Sequence, residues 1–357
     1  MNARVPSARM RAIVVEGFGS NATLKVAEVE KPVPGPDQLL VRVRAAALNR
    51  ADLLQRAGEF PAPPSESEIL GVEIAGDVVA CGTNVEIVVG TPVFGLVGGG
   101  AYADFCLVDA QMAIPIPPGF SYAQAAAIPE VFFTADTTLF GLAALAPGQS
   151  VLVHAGGSGL GSACIQMARS IGARVACTVG SDEKVSRALA LGAELGVNYK
   201  RQDFVREILA WTDGKGVDVV EDVVGAEYFE RNLTVLKEGG CLVQVGVMSG
   251  TKCAIDLDVI VLGRLQIKGS VMRMRSIEAK RAITRRFVDR WLPLLKAAIL
   301  SPVLAAIIPL EDATRAHDMM ERSEHFGKIV LDVDGARRLV GDHAKPVVTA
   351  RAESHIA

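Results

Sequence analysis

An apolar run, Val151-Leu152-Val153, leads straight into His154-Ala155-Gly156-Gly157-Ser158-Gly159-Leu160-Gly161. Small residues at a strand-to-helix turn let main chain approach a pyrophosphate, and the N–H groups that open the helix suit an anion. Gly156, Ser158, Gly159, Leu160 and Gly161 are therefore candidate contacts for a dinucleotide. Two other chemistries fail on single residues. A P-loop needs Lys after Gly161, where Ser162 stands, and a hydrolase nucleophile elbow around Ser158 needs Gly where Leu160 stands. The plain alternative is a structural turn without a ligand. Context favours the dinucleotide, because Ser162 to Ile171 reads as a helix, Gly172 stops it, and Ala173 to Val179 reads as a second strand.

The end of that second strand selects the nucleotide. An acidic residue there would hold a ribose 2′-hydroxyl. This chain instead has Cys177-Thr178-Val179-Gly180-Ser181. Gly180 leaves room for a 2′-phosphate, Ser181 can donate a hydrogen bond, and Lys184 can bring a full charge. These features point to NADPH. Asp182 and Glu183 pull toward NADH, unless they serve as the acidic first turn of a helix.

The elements that must carry these residues divide the chain. From Met10 to about Phe133, short strand-like runs are separated by Gly and Pro, as in a β-rich, barrel-like domain. From Gly148 onward, strands near Val151, Val175, Leu195, Val217, Leu242 and Ile267 alternate with helical segments, which implies an α/β, doubly wound parallel sheet. Glu278 to Ala298 reads as one long helix with Ile283, Phe287, Trp291 and Leu294 on its core face. A strand-helix-strand ending at Val333 is expected to return to the first domain.

Composition narrows the classes of function. At 357 residues the chain can bury two cores, and half of it is hydrophobic. With 37 basic and 40 acidic residues the net charge is −3, a field that favours neither nucleic acid nor an anionic membrane. No apolar run approaches the ~20 residues of a membrane span. The six cysteines are scattered and read as buried thiols, and the N-terminus lacks the apolar core of a secretory signal. A cytoplasmic location is expected.

Several segments carry a family resemblance: Ala47-Leu48-Asn49-Arg50-Ala51-Asp52, Leu70-Gly71-Val72-Glu73, Ala127-Ile128-Pro129-Glu130, Thr134-Ala135, Asn198-Tyr199 and Phe326-Gly327-Lys328-Ile329-Val330. In this order and spacing, with the glycine loop, the chain resembles the zeta-crystallin-like quinone oxidoreductases of the medium-chain dehydrogenase/reductase superfamily. The run from Gly269 to Ser276 resembles the tumour-suppressor-inducible branch. The resemblance implies a GroES-like catalytic domain over 10–134 and 277–335, a Rossmann NADPH-binding domain over 135–276, and mobile tails at 1–9 and 336–357. Zinc members of the superfamily place Cys where this chain has Asn49 and His where it has Val72, and they carry a four-cysteine lobe absent here. The five histidines are isolated, so no metal is expected.

Without a metal, the expected reaction is direct hydride transfer from NADPH to a small quinone or enone. The candidate catalytic residues are Asn49, Phe60 and Ser158. Asn49 is a candidate donor to developing charge on oxygen, or else an amide capping a turn. Ser158 stands where many such loops have Gly, so its hydroxyl either contacts cofactor or substrate or simply keeps the turn open. The resemblance places Asn49, Thr134, Gly246, Val247, Met248, Ser249 and Lys328 at the cofactor, with Tyr199 stacking near its 2′-phosphate. Phe60 occupies a position where relatives often have Tyr, and Asp136 one where an aromatic is common, putting a carboxylate at the pocket mouth or in solvent. Arg273 and Arg275 are read as closing over the pocket, supporting a dimer seam or facing water. The apolar strand Leu265 to Met272 suggests edge pairing in a homodimer. Two other functions remain open: reduction of an activated C=C bond in an enal, enone or enoyl thioester, and NADPH binding without turnover.

Overall fold

The computed structural model describes residues 8–17 and 19–340. β1 (Arg9–Glu16) and β2 (Thr23–Glu30) form an antiparallel ribbon. A second sheet is built from β3 (Gln38–Ala47), β4 (Glu73–Cys81), β5 (Pro92–Leu96), β6 (Phe105–Asp109) and β7 (Ile114–Pro115). Helix α1 (Arg50–Arg56) follows β3, and α2 (Tyr122–Ala126) and α3 (Pro129–Ala135) lead out of the sheet.

Six parallel strands come next: β8 (Ser150–Val153), β9 (Arg174–Val179), β10 (Leu195–Asn198), β11 (Val217–Asp222), β12 (Leu236–Gln244) and β13 (Gln266–Gly269). Their spatial order, β10-β9-β8-β11-β12-β13, is the 3-2-1-4-5-6 order of a dinucleotide fold. Every residue of β8 and β11 is buried. Helices on both faces of a parallel sheet produce such strands, which is why β8 reads as the apolar run Val151-Leu152-Val153, whereas β11 buries Asp218, Glu221 and Asp222 among its valines. The helices are α4 (Gly159–Ser170), α5 (Asp182–Ala190), α6 (Phe204–Trp211), α7 (Ala226–Val235) and α8 (Leu257–Gly263). The strand order reverses between β8 and β11, and the crevice beyond their carboxyl ends is where such sheets take ligands.

After α9 (Ile277–Arg290) and α10 (Leu292–Lys296), β14 (Leu304–Pro309), α11 (Ala313–Glu321) and β15 (Lys328–Asp332) follow. β15 pairs antiparallel with β3, completing a sheet ordered β14-β15-β3-β4-β5-β7 with β6 also on β3. The chain's end thus rejoins its beginning. One apolar cluster runs from Phe94 on β5 through Phe132 and Phe133 on α3 to Val151 on β8 and Ile165 on α4, with Phe287 and Trp291 packed into it.

Several expectations are corrected. The long helix over 278–298 is two helices, because Pro293 lacks the N–H that would continue the ladder past Trp291. The sixth strand is shorter than 265–272. The stretch 336–340 is held rather than loose: Ala336 is buried and its carbonyl accepts from Ala123 N–H at 2.8 Å, while Val340 N–H donates to Phe120 carbonyl at 2.8 Å. Ala8 and Arg9 are likewise engaged, Ala8 accepting from Lys31 N–H and Arg9 opening β1. The remaining tail residues, 1–7 and 341–357, lie outside the described residues. Cys253 is exposed and Cys81 half-buried, so only four of the six thiols are buried.

Candidate active site

β8 delivers the chain to the glycine loop through Ala155, whose φ of 52° turns the backbone sharply. The loop is packed too tightly for side chains. A Cβ at Gly161 would lie 2.3 Å from the Ala155 carbonyl oxygen, and one at Gly156 would lie 2.8 Å from Cys177 Cβ. Ser158 caps α4, its Oγ accepting from Gly161 N–H at 2.9 Å. Gly159 and Leu160 occupy the first turn of that helix, where main-chain donors lack intrahelical acceptors and face an anion favourably. Gly327 N–H donates to the Gly157 carbonyl at 2.9 Å, and Ser158 bridges Gly327, so the loop is stitched to the strand that follows.

At the end of β9, Gly180 lies under the Tyr199 ring: a Cβ there would sit 2.9 Å from the phenol oxygen. Ser181 caps α5 by accepting from Lys184 N–H at 3.2 Å. The Lys184 stem packs along Gly157, where a Cβ would be 3.4 Å from Lys184 Cδ. Its ammonium donates to the Ser323 carbonyl at 2.5 Å. Burial lowers the Lys184 pKa, and the nearby Lys200 adds repulsion, marking a locally cationic edge. Asp182 does not oppose it: its carboxylate accepts from Asn198 Nδ2 at 2.5 Å and from Arg201 at 2.6 Å. This edge fits a nucleotide carrying a 2′-phosphate.

A buried polar network lies on the other side of the loop. Asn49 opens α1, and Asp52 accepts its N–H at 2.8 Å, but the Asn49 carboxamide turns inward. Asn49 Nδ2 donates to Glu73 Oε1 at 2.8 Å, and Lys328 Nζ donates to Asn49 Oδ1 at 2.7 Å. Lys328 also pairs with Glu73 Oε1 at 2.7 Å and donates to the Leu48 carbonyl. Glu73 Oε2 accepts from Glu130 N–H at 2.8 Å. The side chains of Lys328 and Glu73 are 4% and 0% exposed. A Cβ on Gly159 would lie 2.4 Å from Lys328 Cδ, so this network abuts the glycine loop. Behind it, Tyr102 OH donates to Asp52 Oδ2 at 3.0 Å, and burial raises the Asp52 pKa to about 6.

Asn49, Ser158 and Lys328 therefore converge, while Ser181, Lys184 and Tyr199 form a second cluster joined to the loop through Gly157. Thr134 is buried on α3, and its carbonyl accepts from Thr138 Oγ1 at 2.9 Å. Gly246 to Ser249 follow β12 at the carboxyl edge of the sheet; Ser249 Oγ donates to the Val224 carbonyl at 2.9 Å, leaving Val247 and Met248 exposed. Phe60 takes part through its carbonyl, which accepts from Arg273 Nη1 at 3.4 Å. Arg273 is not a solvent-facing residue. It is buried, donates to Gln55 Oε1 at 2.8 Å and Gly98 carbonyl at 3.2 Å, and so ties the segment after β13 to the catalytic side. Asp136 is also corrected: it sits at no pocket mouth but is fully buried, accepting from Trp291 Nε1 at 2.8 Å and Arg286 Nε at 2.5 Å.

Sequence reasoning missed Glu73 and Glu130 as site residues. The available signal was an acid at the mouth of an apolar strand, Glu73 before Ile74-Ala75-Gly76, which has to be paired if buried. The donor set does not fit zinc. The oxygens of Asn49 and Glu73 already hold the Lys328 ammonium, which would repel a metal ion, and Val72 offers no ligand. Among the described residues no group of three His, Cys, Asp or Glu side chains could hold a metal.

Residues 35–118 match the alcohol dehydrogenase GroES-like domain, and residues 159–287 match the family described as zinc-binding dehydrogenase. Mouse quinone oxidoreductase is 31% identical over 333 residues, covering 90% of this chain and 97% of its own length. The chain belongs to the medium-chain dehydrogenase/reductase superfamily. The mycocerosic acid synthase-like polyketide synthase of Mycobacterium tuberculosis is 31% identical over 325 residues, 90% of this chain, which spans only 15% of that protein. Among solved structures, an NAD-dependent alcohol dehydrogenase is 34% identical with a TM-score of 0.81, covering 91% of this chain and all of its own. Escherichia coli quinone oxidoreductase complexed with NADPH is 28% identical with a TM-score of 0.83 over 91% of this chain and 100% of that one. CurK enoyl reductase is 25% identical with a TM-score of 0.79 over 90% and 99%. No helix among the described residues is long and apolar enough to cross a membrane.

Proposed function

We propose that the chain is a zinc-independent, NADPH-dependent quinone oxidoreductase. The observation that carries this reading is the Asn49–Glu73–Lys328 network against Gly159, where an ammonium held by three acceptors takes the place a metal would need. Bound NADPH would supply a hydride; the protein's part is to bind, orient and keep water out. The first turn of α4 at Gly159 and Leu160 would take the pyrophosphate, and Ser181, Lys184 and Tyr199 the 2′-phosphate. Thr134 and the Gly246 to Ser249 edge would flank the nicotinamide. The network fixes the Asn49 carboxamide with its oxygen toward Lys328 and its nitrogen toward Glu73, so the amide stays in one orientation for cofactor or acceptor. Likeness to the NADPH complex of the E. coli enzyme and to the mouse enzyme supports this reading. Within it, the run from Gly269 to Ser276 supports a zeta-crystallin-like member of the tumour-suppressor-inducible branch.

The test is absorbance of NADPH with simple ortho- and para-quinones, with and without a chelator, against NADH. Chelator-insensitive oxidation that prefers NADPH is expected. Lys184→Ala should erode that preference by about tenfold, ~1.4 kcal/mol for a half-buried charged contact. Absence of oxidation with every quinone overturns the reading, and tight NADPH binding without turnover would then favour a binding protein.

Likeness to an enoyl reductase supports a second reading, reduction of an activated C=C bond. A steady-state comparison of an enoyl thioester with a quinone separates the two. For assembly we propose a homodimer through β13, which among the described residues pairs with β12 alone and whose surroundings expose Val261, Leu262, Ile267 and Val271. A cytoplasmic location accords with this reading.

A further inference from the structure

Resting on the quinone reading, we infer that Glu130 is the proton donor to the acceptor's oxygen. Glu130 occupies the first turn of α3, and its N–H donates to Glu73 Oε2 at 2.8 Å, which pins the residue beside the Asn49–Glu73–Lys328 network. The next residue, Val131, lies 3.3 Å from where a Cβ on Gly159 would be, so this turn of α3 borders the glycine loop. Unlike Glu73, Asp52 and Asp136, each committed to protein donors, the half-buried Glu130 carboxyl has no hydrogen-bond or ion-pair partner among the described residues. A carboxyl in that position is available to a ligand.

The charged groups around it come from every neighbouring element: Glu73 on β4, Asp52 on α1, Lys328 on β15, Lys280 on α9, and Arg273 after β13. Burial, then the Glu73 charge, raises the Glu130 pKa to about 8, while Lys328 and Lys280 act in the opposite sense. The group is therefore largely protonated near neutrality, as a general acid must be.

Atoms and electrons balance in this step. A quinone that has gained a hydride carries two more electrons, one added hydrogen and a negative oxygen. The Glu130 O–H bond breaks, its proton joins that oxygen, the neutral hydroquinone leaves, and the carboxylate regains a proton from solvent.

The experiment compares the pH profile of kcat for wild type, Glu130→Gln and Glu130→Asp with a quinone, alongside NADPH fluorescence titration. Wild-type kcat should fall on the alkaline side. Glu130→Gln should lose that limb and roughly 10²–10⁴-fold of kcat with NADPH affinity unchanged, and Glu130→Asp should recover part of the rate and the limb. A readout without turnover is the infrared difference between wild type and Glu130→Gln: a carboxylic-acid band near neutral pH that vanishes on titration through about pH 8. An unchanged alkaline limb in Glu130→Gln, or no such band with turnover intact, overturns the role of Glu130 alone. A wild type that shows the band yet reduces no quinone overturns the quinone reading and this step with it.

Discussion

Lys328 donates to Asn49, a residue 279 positions earlier in the chain, and its charge is buried with that of Glu73. Such a pair is expensive to break from one side, because the remaining charge stays desolvated. Lys328→Met should therefore destabilise the protein by about 3–5 kcal/mol, measured by denaturant unfolding, and adding Glu73→Gln should restore a large part of it. Equal stability of the single and double variants would refute the coupling. This is also the scale at which sequence reading stopped short. Asn49 was legible, because its type at a zinc-ligand position is informative alone. Lys328 was legible at the cofactor through the family resemblance, but its pairing with Glu73 follows only when β15 and β4 are both laid against β3, and no local spacing encodes that arrangement. Ser158 was legible as a loop residue, but its hydroxyl turned out to accept from Gly161 as a helix cap.

The elements were more readable than the contacts. Period, glycine and proline punctuation foretold the six parallel strands and the helix after the loop, because the central strands of a covered sheet carry short apolar stretches such as Val151-Leu152-Val153 and Val175-Ala176-Cys177. What failed was of two kinds: a local break passed over, Pro293 dividing a helix, and a polar stretch overruled by distant partners, Ala336 to Val340 ordered by main-chain bonds to 119–123. The open edge of β13 carries a prediction of its own. Ile267 is 41% exposed on that strand, and Val261 and Leu262 on α8 are 68% and 77% exposed. Unpaired edges with apolar flanks associate. Light scattering should report two copies per particle, and Ile267→Lys with Val261→Asp should return single copies; an unaffected dimer would place the interface elsewhere.

Across the whole molecule, buried titratable groups set how stability responds to pH. Burial lifts Asp52 from 3.8 to about 6 and Glu221 from 4.5 to about 7, so each binds its proton more tightly in the folded chain than in the unfolded one. Their contribution is complete below the ordinary values and declines as pH rises toward the folded ones. Burial lowers His317 from 6.5 to about 3 and His325 from 6.5 to about 4, and their contribution is present above 6.5 and lost as pH falls. The two sets oppose each other from about 4 to 6. Above about 6.5 the histidines no longer contribute a slope, and Glu221, with Glu130, makes stability fall until about pH 8. A thermal-unfolding series should show stability declining from about pH 6.5 to 8, and Glu221→Gln should flatten that decline up to about pH 7; a midpoint still rising from pH 6.5 to 8 would contradict it.

The main-chain stitch between Gly157 and Gly327 bears on motion. A hydrogen bond of 2.9 Å is lost after about an ångström of separation, far less than a hinge displacement between two packed sheets. The seam is therefore a latch with two positions, shut or released. Any swing of the nucleotide-binding sheet away from β15 has to begin by unfastening it, and the Gly327 amide proton would exchange with solvent only through that release.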